Sequence, residues 1–230
     1  DPNVGQALSY ALTGTAFAVN PTTGQITVAD STLLNFETTP TFTLTATVTD
    51  NGTPVLNDTA VITINLSDVN EAPVLGAIGN RSVNELSALR FTATASDVDA
   101  GQSLSYSLDA AALALGMTIN ATTGQFSWTP SEAQGPGVYT ITLTVADTGT
   151  PQLTDSETIQ ITVNEVNQDP ILGAIGNRTV NEGETLTFTL DATDADVPAN
   201  PLTFGASNLP SGATFDPNTR TFSWTPTEAQ

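Results

Sequence analysis

The 230-residue chain contains no cysteine, no histidine and no lysine; its whole basic complement is Arg81, Arg90, Arg178 and Arg220. Without cysteine there are no disulfides and no thiolate chemistry. Without either cysteine or histidine, the usual zinc, copper and iron sites and every imidazole base are excluded. Against the four arginines stand 24 Asp and Glu, a net charge of −20. Such a surface repels nucleic acid and anionic membranes and attracts multivalent cations, so hard oxygen chemistry is what remains. Aromatics are scarce, at 6%, which argues against the aromatic-lined cleft of a glycosidase. No apolar stretch approaches the roughly 20 residues of a membrane helix. No basic, apolar leader opens the sequence, so any export or anchoring signal is expected to lie outside it.

The sequence repeats itself. LSDVNEAPVLGAIGN (Leu66 to Asn80) returns 97 residues later as VNEVNQDPILGAIGN (Val163 to Asn177). Gly79 to Asp99 matches Gly176 to Asp196, Thr118 to Gln134 matches Thr214 to Gln230, and a more divergent copy occupies the start, where DPNVGQALSY (Asp1 to Tyr10) aligns with DVDAGQSLSY (Asp97 to Tyr106). Three repeats follow: 1–71 lacking its first strand, 72–169 complete, and 170–230 lacking its last strands. The chain is thus expected to be a stretch of a longer array.

Within each repeat the period is two. In TFTLTATVTD (Thr41 to Asp50), Phe42, Leu44, Ala46 and Val48 share one face and threonines the other, the pattern of a half-buried strand. YTITLTVAD, AVITINLSD, ETIQITVNE and ETLTFTLDATD read alike, separated by turn signals such as NPTTG, DNGTP and DTGTP, and no sustained helical spacing occurs. About seven short strands per repeat predict an all-β chain of tandem antiparallel β-sandwiches. The duplicated phrase then falls at the joint between successive sandwiches. Carboxylates collect at strand ends near these joints, where they would repel one another unless a cation sat between them. Several acids, asparagines and a carbonyl-bearing linker suit Ca²⁺, which accepts six to eight oxygens in flexible geometry.

At these residues the chain resembles the cadherin repeats, specifically the cadherin-like and immunoglobulin-like repeats of bacterial surface adhesins. DVNEAP (Asp68 to Pro73) looks like the D-x-N-D-N-x-P linker shortened by one residue. LLNFE (Leu33 to Glu37) looks like L-D-x-E, SDVDAGQSLSY (Ser96 to Tyr106) like D-x-D-x-G, and VTDNGTP (Val48 to Pro54) like the A-x-D-x-G-x-P strand end. The resemblance implies Greek-key sandwiches, first and last incomplete, with Ca²⁺ held between neighbours. Carried across, the first joint would use Glu37, Asp68, Asn70 through its carbonyl, Glu71, Asp97, Asp99 and Asp147. The second would use Glu85, Glu132, Glu165, Asn167, Asp169, Asp194 and Asp196. Asn35 and Gln168 stand where the family has acids, and the last repeat lacks the strand that would supply a counterpart of Asp147, so the second site is expected to be weaker or to hold fewer ions.

Other readings are weaker. DVDAG could open an EF-hand loop, but its twelfth position is Leu108 rather than a bidentate glutamate. DTG (Asp147 to Gly149) spells an aspartic protease signature, yet DNG occupies the same strand end one repeat earlier. Trp128 and Trp224 recur at one repeat position and are read as packing residues rather than a sugar platform. The resulting expectation is a non-enzymatic, extracellular, calcium-rigidified stalk or spacer of a bacterial surface adhesin or filament. Its partners would be calcium ions, neighbouring repeats and cell-surface or matrix ligands, with no nucleic acid and no membrane insertion. The alternatives are a directly adhesive, homophilic or carbohydrate-binding module, and a subunit of an assembled extracellular filament or surface layer.

Overall fold

The computed structural model describes residues 5–230; residues 1–4, the start of the DPNVGQALSY segment, lie outside the described residues. The chain forms two compact units. One gathers residues up to Leu75 with Ala95–Ser105 and Val145–Asp155, and the other holds Gly76–Thr94, Tyr106–Thr144 and Ser156–Gln230. The division therefore falls inside the central repeat rather than at the repeat boundaries. One set of central-repeat loops belongs with the first repeat, and the rest of the central repeat belongs with the third.

In the first unit, strands Leu8–Leu12, Thr41–Asp50 and Asn57–Asn65 form an antiparallel sheet with Thr41–Asp50 in the middle. The alternation read from the sequence shows over the first half of the strand, where Leu44 is buried, Phe42, Ile62 and Ile64 pack beside it, and Thr41 and Thr43 face solvent; from Thr45 to Asp50 both faces are half-buried. A hairpin, Phe17–Val19 with Ile26–Val28, closes the core through Phe17, whose ring meets Phe42 edge-on at 5.3 Å.

The central repeat carries the best-formed core. Strands Ser105–Leu108, Gly137–Ala146, Thr154–Asn164 and Arg81–Asn84 form one sheet; Thr118–Ile119, Gln125–Trp128 and Leu89–Thr92 form the other. Ile141, Leu143, Ile159, Ile161 and Val163 are fully buried on the first sheet, and Phe126 and Trp128 on the second. Trp128 meets Tyr139 edge-on at 5.3 Å and donates its indole N–H to the Leu115 carbonyl at 3.1 Å. This is the packing role expected of it. Trp224 donates likewise to the Ser211 carbonyl at 3.2 Å.

Two features depart from the sequence reading. Arg81–Asn84 runs parallel to Thr154–Asn164. Parallel pairing needs a long crossover, and the whole sandwich between them supplies it. A five-residue helix, Ala110–Ala114, is capped by the Asp109 carboxylate, which accepts from Ala112 N at 2.7 Å; it is too short to leave a periodic signal. In the third repeat, Leu186–Thr189, Thr221–Trp224 and Thr214–Asp216 form a sheet matching the second sheet of the central repeat. Arg81 sits 5.6 Å over Phe91, and 97 residues later Arg178 sits 5.6 Å over Phe188.

The Asx turn that closes the hairpin is built three times. Asn20 Oδ1 accepts from Thr22 N and Thr23 N, Asn120 Oδ1 from Thr122 N and Thr123 N, and Asp216 Oδ1 from Asn218 N and Thr219 N. In the central repeat the turn ends at Gly124, with φ +67°, where a Cβ would lie 2.3 Å from the Ala93 carbonyl. Gly124 also accepts from Ala93 N at 2.9 Å, so the backbone cannot withdraw without losing that bond. Gly124→Ala is expected to destabilise the chain by at least about 1 kcal/mol, read as a lower denaturant midpoint with an unchanged slope.

Candidate metal centres

Among the described residues each compact unit contains one acidic cluster, and both clusters lie at repeat joints. In the first unit, carboxylate oxygens of Glu37, Asp68 and Asp99 lie within 4.8 Å of one another. Glu37 follows the short helix Ser31–Leu33, Asp68 follows the strand Asn57–Asn65, and Asp99 lies in the loop after Ala95–Ser96. The loop folds on itself because Asp97 Oδ1 accepts from Asp99 N at 3.0 Å. It is tied to the linker because Asp99 Oδ2 accepts from Glu71 N at 2.9 Å. Asp147 is fully buried. Its Oδ1 closes the DTGTP turn by accepting from Gly149 N and Leu153 N, and its Oδ2 accepts from the Asn70 amide at 2.8 Å. Asn70 was expected to act through its carbonyl; its side chain is what links the linker to Asp147.

In the second unit the same plan recurs. Glu85, Glu132 and Glu165 bring carboxylate oxygens within 4.8 Å of one another, with Glu85 only 1% exposed. Asp194 Oδ1 accepts from Asp196 N at 3.0 Å, and Asp196 Oδ1 accepts from Gln168 N at 2.9 Å, repeating the pattern of Asp97, Asp99 and Glu71. Glu85 Oε1 accepts from Val166 N at 3.1 Å. Gln168, neutral where the first joint has Glu71, donates its amide to Glu132 Oε2 at 2.6 Å. Asp169 is exposed and lies outside the triad.

A carboxylate removed from water needs a compensating partner. Here several have none within the protein: Asp97 Oδ2 and Asp99 Oδ1 at the first joint, and Glu85 Oε2, Glu132 Oε1 and both Glu165 oxygens at the second, are buried without a hydrogen-bond partner. The electrostatic consequence follows. Burial, then the charges of Asp68, Asp99 and Asp97, pushes the Glu37 carboxyl above its ordinary value. Glu71 is raised by burial and by Asp99, and Glu165 by burial and by Glu85, Glu132 and Asp196. Asp147 differs: burial opposes its charge, but the N–H donors of Leu153, Asn70 and Gly149 prevail and hold it below the ordinary range. Buried, unpartnered, mutually repelling oxygens with no nitrogen or sulfur among them are the donor set a hard divalent cation takes.

Two glycines and two amides at these joints left no mark in the sequence reading. A Cβ on Gly149 would lie 1.6 Å from Asn70 Oδ1, and one on Gly135 would lie 1.9 Å from Glu85 Oε2. Gln102 and Asn200 each touch both the linker asparagine and an aspartate of the following loop. The glycine of DTGTP reads as turn grammar, and the contact it permits appears only in three dimensions.

Tandem β-sandwiches with an acidic cluster at each joint define the class of this chain. It belongs to the family described as Putative Ig domain, matched over residues 72–164 and 169–230, while residues 1–67 match the Cadherin domain; the repeats are cadherin-like and immunoglobulin-like. Protocadherin Fat 4 of Mus musculus is 30% identical over 80% of this chain, and Protocadherin Fat 1 of Homo sapiens 27% over 71%. The chain spans 4% of the length of each of these relatives. Chitinase A of Pseudoalteromonas piscicida is 34% identical over 54% of this chain and 15% of its own length. Among solved structures, mouse Cadherin-23 EC22-24 superposes with a TM-score of 0.65 at 18% identity, over 99% of this chain and 78% of its own. Human CDH23 EC21-23 gives 0.63 at 22%, over 93% and 81%. These establish the likeness of fold.

The raised carboxyls set the pH response. A glutamate whose folded value lies above its unfolded one contributes stability that is full below the unfolded value and lost as pH rises through the folded value. With a chelator present, stability is therefore expected to fall as pH climbs from about 4.5, the ordinary glutamate value, towards neutrality. Asp147 contributes in the opposite sense, losing its part only as pH drops below its ordinary 3.8. Thermal melts across pH with and without a divalent cation check this: the cation should abolish the loss at neutral pH. Gly149→Ala should displace Asn70 and weaken cation binding at the first joint, seen as a lower calorimetric affinity.

Proposed function

We propose that this chain is a calcium-stiffened, non-enzymatic spacer segment of a bacterial cell-surface adhesin or related extracellular filament. The observation that carries the reading is the set of buried carboxylate oxygens without partners, present independently at both repeat joints. Glu37, Asp68, Asp97 and Asp99 would hold the ion at the first joint, with Asn70, Glu71 and Asp147 shaping the site. Glu85, Glu132 and Glu165 would hold it at the second, with Asn167, Asp194 and Asp196 beside them and Asp169 at the margin. Bound Ca²⁺ supplies positive charge where the protein has none. The chain's own residues supply the rest: Asp99 and Asp196 tie each loop to the linker, and Asp147 fixes the turn behind it. Gln168 puts a neutral amide where the first joint has the Glu71 carboxylate and donates it to one Glu132 oxygen, and this loss of one negative charge supports weaker binding there.

Modules of this kind bind calcium at about 10⁻⁴ to 10⁻³ M, which suits extracellular fluid rather than cytosol, so we place the chain outside the cell. Its partners would be calcium, neighbouring repeats and cell-surface or matrix ligands. Among the described residues no helix is long and apolar enough to cross a membrane. The non-enzymatic reading is supported by the placement of acids at repeated joints instead of one cleft. Small-angle scattering tests the proposal. In about 1 mM Ca²⁺ the chain should scatter as a stiff particle, and a chelator should convert the profile to that of flexibly linked bodies. An unchanged profile overturns it.

A further inference from the structure

Resting on the cation reading above, we propose that Gln102 and Asn200 are positioning residues: uncharged amide clasps that hold the linker asparagine and the loop aspartate of each joint ready for an ion. Gln102 Nε2 donates to Asn70 Oδ1 and, at 3.0 Å, to Asp99 Oδ2. Asn200 Nδ2 donates to Asn167 Oδ1 at 2.7 Å and to Asp196 Oδ2 at 2.8 Å. The two residues do not share a repeat position. Gln102 stands three residues after Asp99, whereas Asn200 stands four after Asp196. Glutamine is one methylene longer, so it reaches the same pair of acceptors from one residue nearer. The same contact is thus made twice by different residues at different offsets, which a chance surface hydrogen bond would not be.

The chemistry of the clasp is specific. An amide NH₂ has two donors, and here one goes to a neutral oxygen and the other to a carboxylate. At the first joint this occupies Asp99 Oδ2, already bonded to Glu71 N, and leaves Asp99 Oδ1 bare and buried. Asp99 is 5% exposed, so its free oxygen is held in place before any ion arrives. Gln102 Oε1 is itself buried without a partner, a neutral oxygen donor at the same spot. A lysine or arginine there would satisfy the aspartate equally well, but would bring the charge the ion should bring and so compete with it. An amide orients without competing.

Calorimetric Ca²⁺ titration of the full chain tests this. Gln102→Ala is expected to weaken one class of sites about tenfold or more, the usual effect of losing a group that orients a metal ligand. It should leave the other class and the melting temperature at saturating Ca²⁺ unchanged. Asn200→Ala should weaken the other class instead. Adding Ser103→Asn to Gln102→Ala places an asparagine at the offset Asn200 uses, and should restore most of the lost affinity, a rescue that mere packing would not predict. Unchanged affinity in Gln102→Ala, or no recovery on adding Ser103→Asn, overturns the clasp. A wild-type chain that binds no Ca²⁺ overturns the cation reading and the clasp with it, an outcome distinct from either variant result.

Discussion

Repulsion between carboxylates that the fold forces together is the constraint on which this molecule turns. Strand pairing and core packing would be satisfied by many surface sequences, but at both joints the chain places acids where burial removes their water and, among the described residues, no basic side chain pairs with them. Among the described residues the ion pair between side chains, Arg220 with Asp191 at 3.4 Å, is exposed and lies at neither cluster. Such a pair adds little to stability. The arrangement is therefore unfavourable as it stands, and on the proposed reading a bound cation would offset it and make order at the joints conditional on the surrounding solution.

Stability and conditionality are separated along the chain. The central core is packed from apolar side chains, with Phe126, Met117, Ile141 and Ile159 almost wholly excluded from solvent. The linkers are tied down by hydrogen bonds from backbone N–H to carboxylates, including Leu75 N to Asp155 and Ile78 N to Glu157. Acidic side chains thus do two jobs. Those with N–H donors, such as Asp147, are structural anions; others, such as Glu165, keep buried oxygens without a hydrogen-bond partner in the protein.

Much of this was legible in the sequence because the repeat reveals it. The alternation in TFTLTATVTD announced its strand, and the duplicated linker announced the joint; Glu37, Asp68 and Asp99 lie in motifs of the resemblance, and Glu85, Glu132 and Glu165 stood out as acids near strand ends. What escaped has a common cause. Gln102 and Asn200 are neutral and sit at different offsets, so no alignment of one repeat on the other pairs them. The contact between Gly149 and Asn70 joins residues 79 apart in sequence, and the parallel pairing of Arg81–Asn84 depends on a crossover no local pattern encodes. Local chemistry writes itself into local sequence, whereas the orientation of a ligand is a property of the assembled loop.

Each joint draws on the end of one repeat, the linker and the loops of the next, so its residues are divided between two consecutive copies of a unit of about a hundred amino acids. Duplication or loss of one whole unit by recombination regenerates an intact junction wherever the cut falls within the period, since every copy brings the half its neighbour lacks. Excisions of any other length would mismatch the halves. Genes encoding such chains can therefore lengthen or shorten their product in quantised increments, tuning reach without redesigning a single contact.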